Sequence, residues 1–139
     1  MKKSVLILAI VLVLTFMVTL TASATKPTEI GGYFDEFVPG DEDNPTVYCF
    51  HTGENYTPDG FLTGCVVQPY NPGLGEHGTF TGTVDGKSGT CEYNLRTFDL
   101  DGIARVTMNR CKEGLAGFHM RGVGWAVNGL WEGTYHWKP

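Results

Sequence analysis

The sequence lacks the repeating pattern of an amphipathic helix. After residue 24, no sustained window repeats apolar residues at i, i+3, i+4 and i+7, whereas short alternating runs are frequent. All 19 glycines and all 7 prolines also lie after residue 24, and both residue types disfavour helix interiors. These features exclude a helical bundle and predict an all-β fold.

Basic residues are scarce as well. Lys2 and Lys3 belong to an N-terminal segment that we expect to be removed, which leaves eight basic residues against 15 acidic ones and a net charge of −7. An acidic domain repels a phosphate backbone. Nucleic acid is therefore not expected as a partner.

That N-terminal segment has the three parts of a secretory signal peptide. A short positive start precedes an almost purely aliphatic run over residues 5–20, and Ala22-Ser23-Ala24 matches the small-residue cleavage site. The pattern predicts a signal peptide over residues 1–24 and one domain over residues 25–139, which is secreted, periplasmic or on the cell surface and free of the membrane after cleavage. The alternative is an uncleaved anchor, because a membrane span needs about 20 apolar residues.

The chain also lacks the spacings of common catalytic and metal sites. It has no C-x-x-C pair, nucleophile elbow or phosphate loop. An acidic run over residues 41–44 lacks the spaced pattern of a calcium loop. No metal or cofactor is therefore expected. The even number of cysteines in an exported chain predicts two disulfides instead, formed by Cys49, Cys65, Cys91 and Cys111.

The clearest local signal is the dipeptide Asp85-Gly86, which favours a two-residue type I′ hairpin turn. This turn pairs Val84 with Lys87. It also places Phe80 opposite Cys91, on one apolar face.

The next turn, over residues 99–102, allows two registers. A three-residue loop sets Cys91 opposite Cys111 but sends Val106 to the wrong face. A four-residue loop keeps Val106 on the apolar face but sets Arg110 opposite Cys91. A four-residue loop with a bulge near Asn109 and Arg110 resolves the conflict. This arrangement permits a bond between Cys91 and Cys111, and the pairing of Cys49 with Cys65 follows by elimination.

A third hairpin is predicted at Asn128-Gly129. This register pairs Trp125 with Glu132 and Arg121 with His136 on one face. The other face sets Trp131, Tyr135 and Trp137 against glycines, alanine and methionine, as the concave side of a curved sheet requires.

About eight short strands with short connections predict a closed, eight-stranded antiparallel up-and-down barrel in meander order, which leaves no exposed edge. Residues 25–30 are expected to form a frayed leader outside it. An immunoglobulin-like sandwich is the rival, but it needs a long crossover connection.

Four segments carry a resemblance to a known family: residues 78–90 (GTFTGTVDGKSGT), 114–119, 122–125 and 133–137. They resemble a family of small exported bacterial proteins of unknown function, similar to the allene oxide cyclase-like barrels. The resemblance implies a closed eight-stranded meander barrel and carries no established activity.

Two sets of side chains are candidates for a site. An aromatic set could line the barrel interior for a small apolar ligand, although such an interior is equally well filled by side chains: Tyr93, Trp131, Tyr135 and Trp137. A polar set on the opposite face could act in acid–base chemistry, or could be an ordinary solvated wall: His119, Arg121, Glu132 and His136, beside Trp125.

These observations predict an exported small barrel, more consistent with a binding role than with an enzyme, that holds a small apolar ligand inside. The alternative is a cyclase or isomerase like allene oxide cyclase. Such an enzyme needs a polar group within the apolar cavity. The sequence leaves the oligomeric state undetermined.

Overall fold

The computed structural model describes residues 26–53, 58–70, 76–97, 102–125 and 128–139. Each strand in this part of the chain pairs antiparallel with the next, and the last pairs with the first, so that the sheet closes into a barrel. The predicted all-β, eight-stranded meander barrel is confirmed. Its strands are β1 (Thr28–Val38), β2 (Thr46–Thr52), β3 (Leu62–Gln68), β4 (Glu76–Val84), β5 (Lys87–Thr97), β6 (Ile103–Glu113), β7 (Phe118–Trp125) and β8 (Leu130–Trp137).

The predicted signal peptide, residues 1–24, lies outside the described residues. Within the described ranges, no helix has the length and apolar character that crossing a membrane requires.

The hairpin of β4 and β5 has the predicted register. Val84 pairs with Lys87 and Phe80 with Cys91. The two turn residues, Asp85 and Gly86, have φ angles of 50° and 71°. Both values are positive, as a type I′ turn requires, so the local turn chemistry alone determined this register.

The predicted bulge between β5 and β6 is also confirmed. Thr90 pairs with Lys112 and Glu92 with Asn109, so that the single residue Cys91 faces both Arg110 and Cys111. Arg110 has a positive φ of 48°, which marks the extra residue. The bulge turns Cys111 towards Cys91 without moving the rest of β6 to the wrong face.

Both predicted disulfides are present. Cys91 bonds to Cys111 across the bulge, with their Cα atoms 4.0 Å apart. Cys49 bonds to Cys65, its direct partner on β3, with a Cα separation of 3.9 Å. Each bond therefore ties together two strands that are neighbours in sequence.

The predicted register of the last hairpin is wrong by two residues. Trp125 pairs with Leu130, not with Glu132. Two interactions support the longer turn: Gly129 N–H donates to the Trp125 carbonyl, and Leu130 N–H donates to Asn128 Oδ1 at 3.0 Å. A shift of two residues preserves the faces, because side chains alternate with period two. The inward and outward sets are therefore as predicted, but their partners differ.

The expectation of a frayed leader over residues 25–30 is also wrong for residues 28–30, which belong to β1. Thr28 already pairs with Tyr135, and Ile30 is fully buried in the core. The reason is barrel closure: this segment supplies the hydrogen-bonding partners that the outer edge of β8 would otherwise lack.

Candidate functional site

Aromatic rings pack against one another in the middle of the barrel. Tyr93 and Trp131, two of the residues predicted to line a cavity, are 0% and 1% exposed. Phe50 lies between them, and its ring centroid is 5.8 Å from each. Tyr48 and Phe80 contact the same ring at 5.4 and 6.4 Å. Through these contacts, Tyr93 and Trp131 each pack on Phe50.

The other two predicted residues, Tyr135 and Trp137, are only partly buried. Phe118 packs against both, at 6.0 and 5.2 Å between ring centroids. Lys87 places its Nζ 4.6 Å above the Trp137 ring. Leu115, in the turn between β6 and β7, is fully buried and packs into the same core. A ligand role for the aromatic set stays a prediction.

Three buried side chains of the described interior, Tyr48, Gln68 and Thr52, form hydrogen bonds with other protein groups. Tyr48 Oη donates to Gln68 Oε1 at 3.1 Å. Thr52 Oγ1 donates to the Pro58 carbonyl and accepts from Leu62 N–H, both at 3.2 Å. Among the residues whose burial the structure describes, no histidine or carboxylate is buried in the core.

A groove of about 500 Å³ lies on the outer wall of the barrel instead. At its floor, Gly122 of β7 pairs with Gly133 of β8. A Cβ atom on Gly122 would meet the Glu132 carbonyl oxygen, and one on Gly133 would meet the Arg121 carbonyl oxygen. Only glycine permits so close an approach. The groove is lined by Glu29, Arg105, Val106, Thr107, Arg121, Gly122, Val123, Glu132, Gly133 and Thr134.

Strand pairing sets the polar side chains of the groove in two adjacent rows. In the first row, Arg121 lies between Thr107 of β6 and Thr134 of β8, and Glu29 of β1 follows Thr134. In the second row, Val123 separates Arg105 from Glu132. The groove therefore combines two guanidinium groups, two carboxylates and two hydroxyls on four neighbouring strands.

The two charged side chains of the first row, Arg121 and Glu29, are available to a ligand. Arg121 and Glu29 are exposed, and neither has a side-chain partner among the described residues. Arg105 and Glu132 each already take part in an interaction within the protein. A ligand would thus meet Arg121 and Glu29 as its primary polar contacts.

The predicted polar cluster is divided. Arg121 and Glu132 line the groove. His136 pairs with His119, not with Arg121 as predicted. The two imidazoles stack at 5.3 Å with an angle of 10° between their planes. Trp125 lies six residues from His119 along β7, about 20 Å away. The correction follows from the two-residue shift of the hairpin, and a single acid–base patch is not formed.

The surroundings of His119 make stability depend on pH. The pKa of His119 is lowered, foremost because burial removes water from its imidazole, and further by the positive charges of Lys138 and His136. The unfolded chain, where an imidazole has a pKa of about 6.5, therefore binds this proton more readily than the folded one. The stability contributed by the neutral ring is present above the unfolded-state pKa and is lost as the pH falls through the folded-state pKa.

We therefore expect the urea midpoint of unfolding to fall between about pH 7.5 and about pH 5, and His119→Gln to reduce that fall. His77→Gln, at an exposed histidine of β4, is the matched control and should leave the fall unchanged. Equal pH slopes in the wild type and the His119→Gln variant would contradict this account.

A row of aromatic and apolar side chains borders the groove on the side away from His119 and His136. Trp125 pairs with Leu130, and Leu130 pairs with Tyr33 of β1. Tyr33 is 42% exposed and stacks on His51 at 5.5 Å, while Leu130 is 48% exposed. The groove therefore lies between the stacked imidazoles of His119 and His136 and the rings of Trp125 and Tyr33.

Four of the six polar groove residues are not among the predicted site residues: Glu29, Arg105, Thr107 and Thr134. Side-chain alternation predicts outward positions on β6 and β8, but it does not predict that β1 closes onto β8 and completes the wall. No cluster of three possible metal ligands occurs in the described ranges.

No family model, curated protein or solved structure matches the chain. The resemblance to the allene oxide cyclase-like family stays a prediction.

Proposed function

We propose that this chain is an exported, non-enzymatic barrel that binds a small ligand in the outer groove over β6, β7, β8 and β1. The observation that carries this proposal is the groove of about 500 Å³, which presents Arg121 and Glu29 without side-chain partners in the described part of the chain. That volume falls within the range of about 300–1,000 Å³ typical of small-molecule sites. A ligand can bind these groups without breaking any bond within the barrel.

The cysteines support export. Both pairs are bonded, and the described residues contain no free cysteine. Two disulfides are compatible with an oxidising compartment. A secreted, periplasmic or cell-surface location is part of the proposal.

A luminal apolar ligand, lined by Tyr93 and Trp131, is the second possibility. It would have to separate rings that already pack on Phe50, and each such contact contributes about 0.5–1.5 kcal/mol beyond its buried area. The geometry therefore supports the outer groove better.

A cyclase or isomerase has less support. Such chemistry needs a polar group aimed at the substrate within an apolar cavity. The buried polar residues described, Thr52 and Gln68, bond to protein groups, and the groove residues lie on the outer wall. The arrangement favours binding over catalysis.

Nuclear magnetic resonance can distinguish these possibilities. Met108 and Met120 are buried in the barrel, so their methyl signals report on the interior. The backbone amides of Arg121 and Thr134 report on the groove. We expect members of a panel of neutral, acidic and basic small molecules to shift the groove amides, and palmitate to leave the methionine methyls unshifted.

Two results would contradict the proposal. Palmitate-dependent shifts of Met108 and Met120 with unchanged groove amides would move the site to the interior. A panel that shifts neither set would remove the outer binding site.

A further inference from the structure

We propose that the outer groove binds a neutral carbohydrate chain, an inference that rests on the proposed function and specifies its ligand. The first reason is charge. Two arginines and two glutamates line the groove, so an anion meets two carboxylates and a cation meets two guanidinium groups. A neutral polyhydroxyl ligand uses both kinds of group, because each hydroxyl can donate and accept.

The second reason is the order of the first row. Thr107, Arg121, Thr134 and Glu29 follow one another across four neighbouring strands. Neighbouring strands are about 4.8 Å apart, so the row is about 14 Å long. The guanidinium fork donates to two oxygens at once, and the carboxylate accepts from two hydroxyls. Adjacent hydroxyls on a sugar ring match both groups.

The third reason is the rings that flank the two rows along the strand direction. The stacked pair of His119 and His136 lies beside the first row, and Trp125 and the exposed Tyr33 lie beside the second. A sugar ring has an apolar C–H face as well as a hydroxyl rim. Aromatic side chains with one polar edge suit such an amphipathic ligand.

The closed sheet argues against an extended peptide as the occupant. Each strand of the barrel pairs on both sides. A peptide that adds a strand needs an unpaired sheet edge, which supplies the main-chain hydrogen bonds for its affinity. In this groove a peptide would depend on side-chain contacts alone.

Titration calorimetry on the purified protein tests the proposal, and nuclear magnetic resonance of the groove amides of Arg121 and Thr134 locates the binding. The probes are four neutral hexasaccharides, namely cellohexaose, laminarihexaose, mannohexaose and chitohexaose, with hexagalacturonate, the chitosan hexamer and a random decapeptide pool for comparison. We expect at least one neutral hexasaccharide to bind. Its affinity should fall at least about tenfold in Arg121→Ala and in Glu29→Ala, because each removes a charged hydrogen-bonding group.

The matched control is Arg110→Ala. Arg110 is an exposed arginine of β6 outside the groove lining, and it pairs with Glu92 at 3.1 Å. This variant should retain the affinity of the wild type. Arg121→Lys, which keeps the charge but loses the fork, should bind more weakly than the wild type and more strongly than Arg121→Ala.

Three results would overturn the carbohydrate proposal. If hexagalacturonate, the chitosan hexamer or the decapeptide pool shifts the groove amides and no neutral sugar does, the groove binds but its ligand class is different, and the proposed function stands. If a neutral sugar binds equally well to Arg121→Ala, it binds elsewhere. If no probe or panel compound shifts the groove amides, both proposals fail.

Discussion

Loss of both disulfides is expected to lower the free energy of unfolding by about 6 kcal/mol. The bonded cysteines are 16 and 20 residues apart in sequence, and a loop of this length contributes about 3 kcal/mol by restricting the unfolded chain. The total is a large share of the roughly 5–15 kcal/mol that stabilises a typical domain. Urea unfolding of the oxidised protein and of protein kept in excess dithiothreitol measures the difference.

Paired variants separate the two contributions. Cys49→Ala with Cys65→Ala, and Cys91→Ala with Cys111→Ala, each remove one bond. Because the bonds join different strand pairs, β2 with β3 and β5 with β6, their effects should add approximately. A total loss below about 2 kcal/mol would show that the unfolded chain is already restricted without the bonds.

Gly64→Ala is expected to destabilise the barrel by about 3 kcal/mol or more. Gly64 pairs with Gly82, and the Phe80 ring lies over both. A Cβ atom at position 64 would lie 2.5 Å from the Thr81 carbonyl oxygen and 2.6 Å from Phe80 Cζ. The carbonyl belongs to a paired strand and the ring is fully buried, so neither can move without disturbing the core. Chemical denaturation of the variant and the wild type measures the effect.

Gly53→Ala is the matched control, because among the described residues a Cβ atom there would have only the Gly32 Cα within 4 Å, at 3.6 Å. Its φ is not positive, so alanine fits the backbone. We expect a change in stability within about 1 kcal/mol. Equal losses in the Gly64 and Gly53 variants would show that backbone entropy, not contact with Phe80, explains the glycine at position 64.

Short-range chemistry determined the features that were predictable. The turn at Asp85 and Gly86 needs residues that tolerate positive φ, and the period of two then fixed which side chains face inward. No regular register both sets Cys91 opposite Cys111 and keeps Val106 on the inner face, so a bulge is required. The sequence alone therefore predicted the bulge and the disulfide beside it. The outward placement of Arg121 and Glu132 followed from the same alternation.

The tertiary structure decided what depends on distant partners. Pairing with β8 turned the expected leader around Ile30 into a strand and brought Glu29 beside Thr134. The close pairing of Gly122 with Gly133 belongs to the observed hairpin register, not to the one favoured by the local Asn-Gly signal. The pairing of β1 with β8 completes the groove, because its wall joins the first strand of the barrel to the last three. The sequence by itself therefore determined the strands, their faces and the disulfides, through turn chemistry and period-two alternation. Barrel closure decided that Glu29 of β1 shares a site with side chains of β6, β7 and β8, because that depends on contacts between residues roughly 100 positions apart.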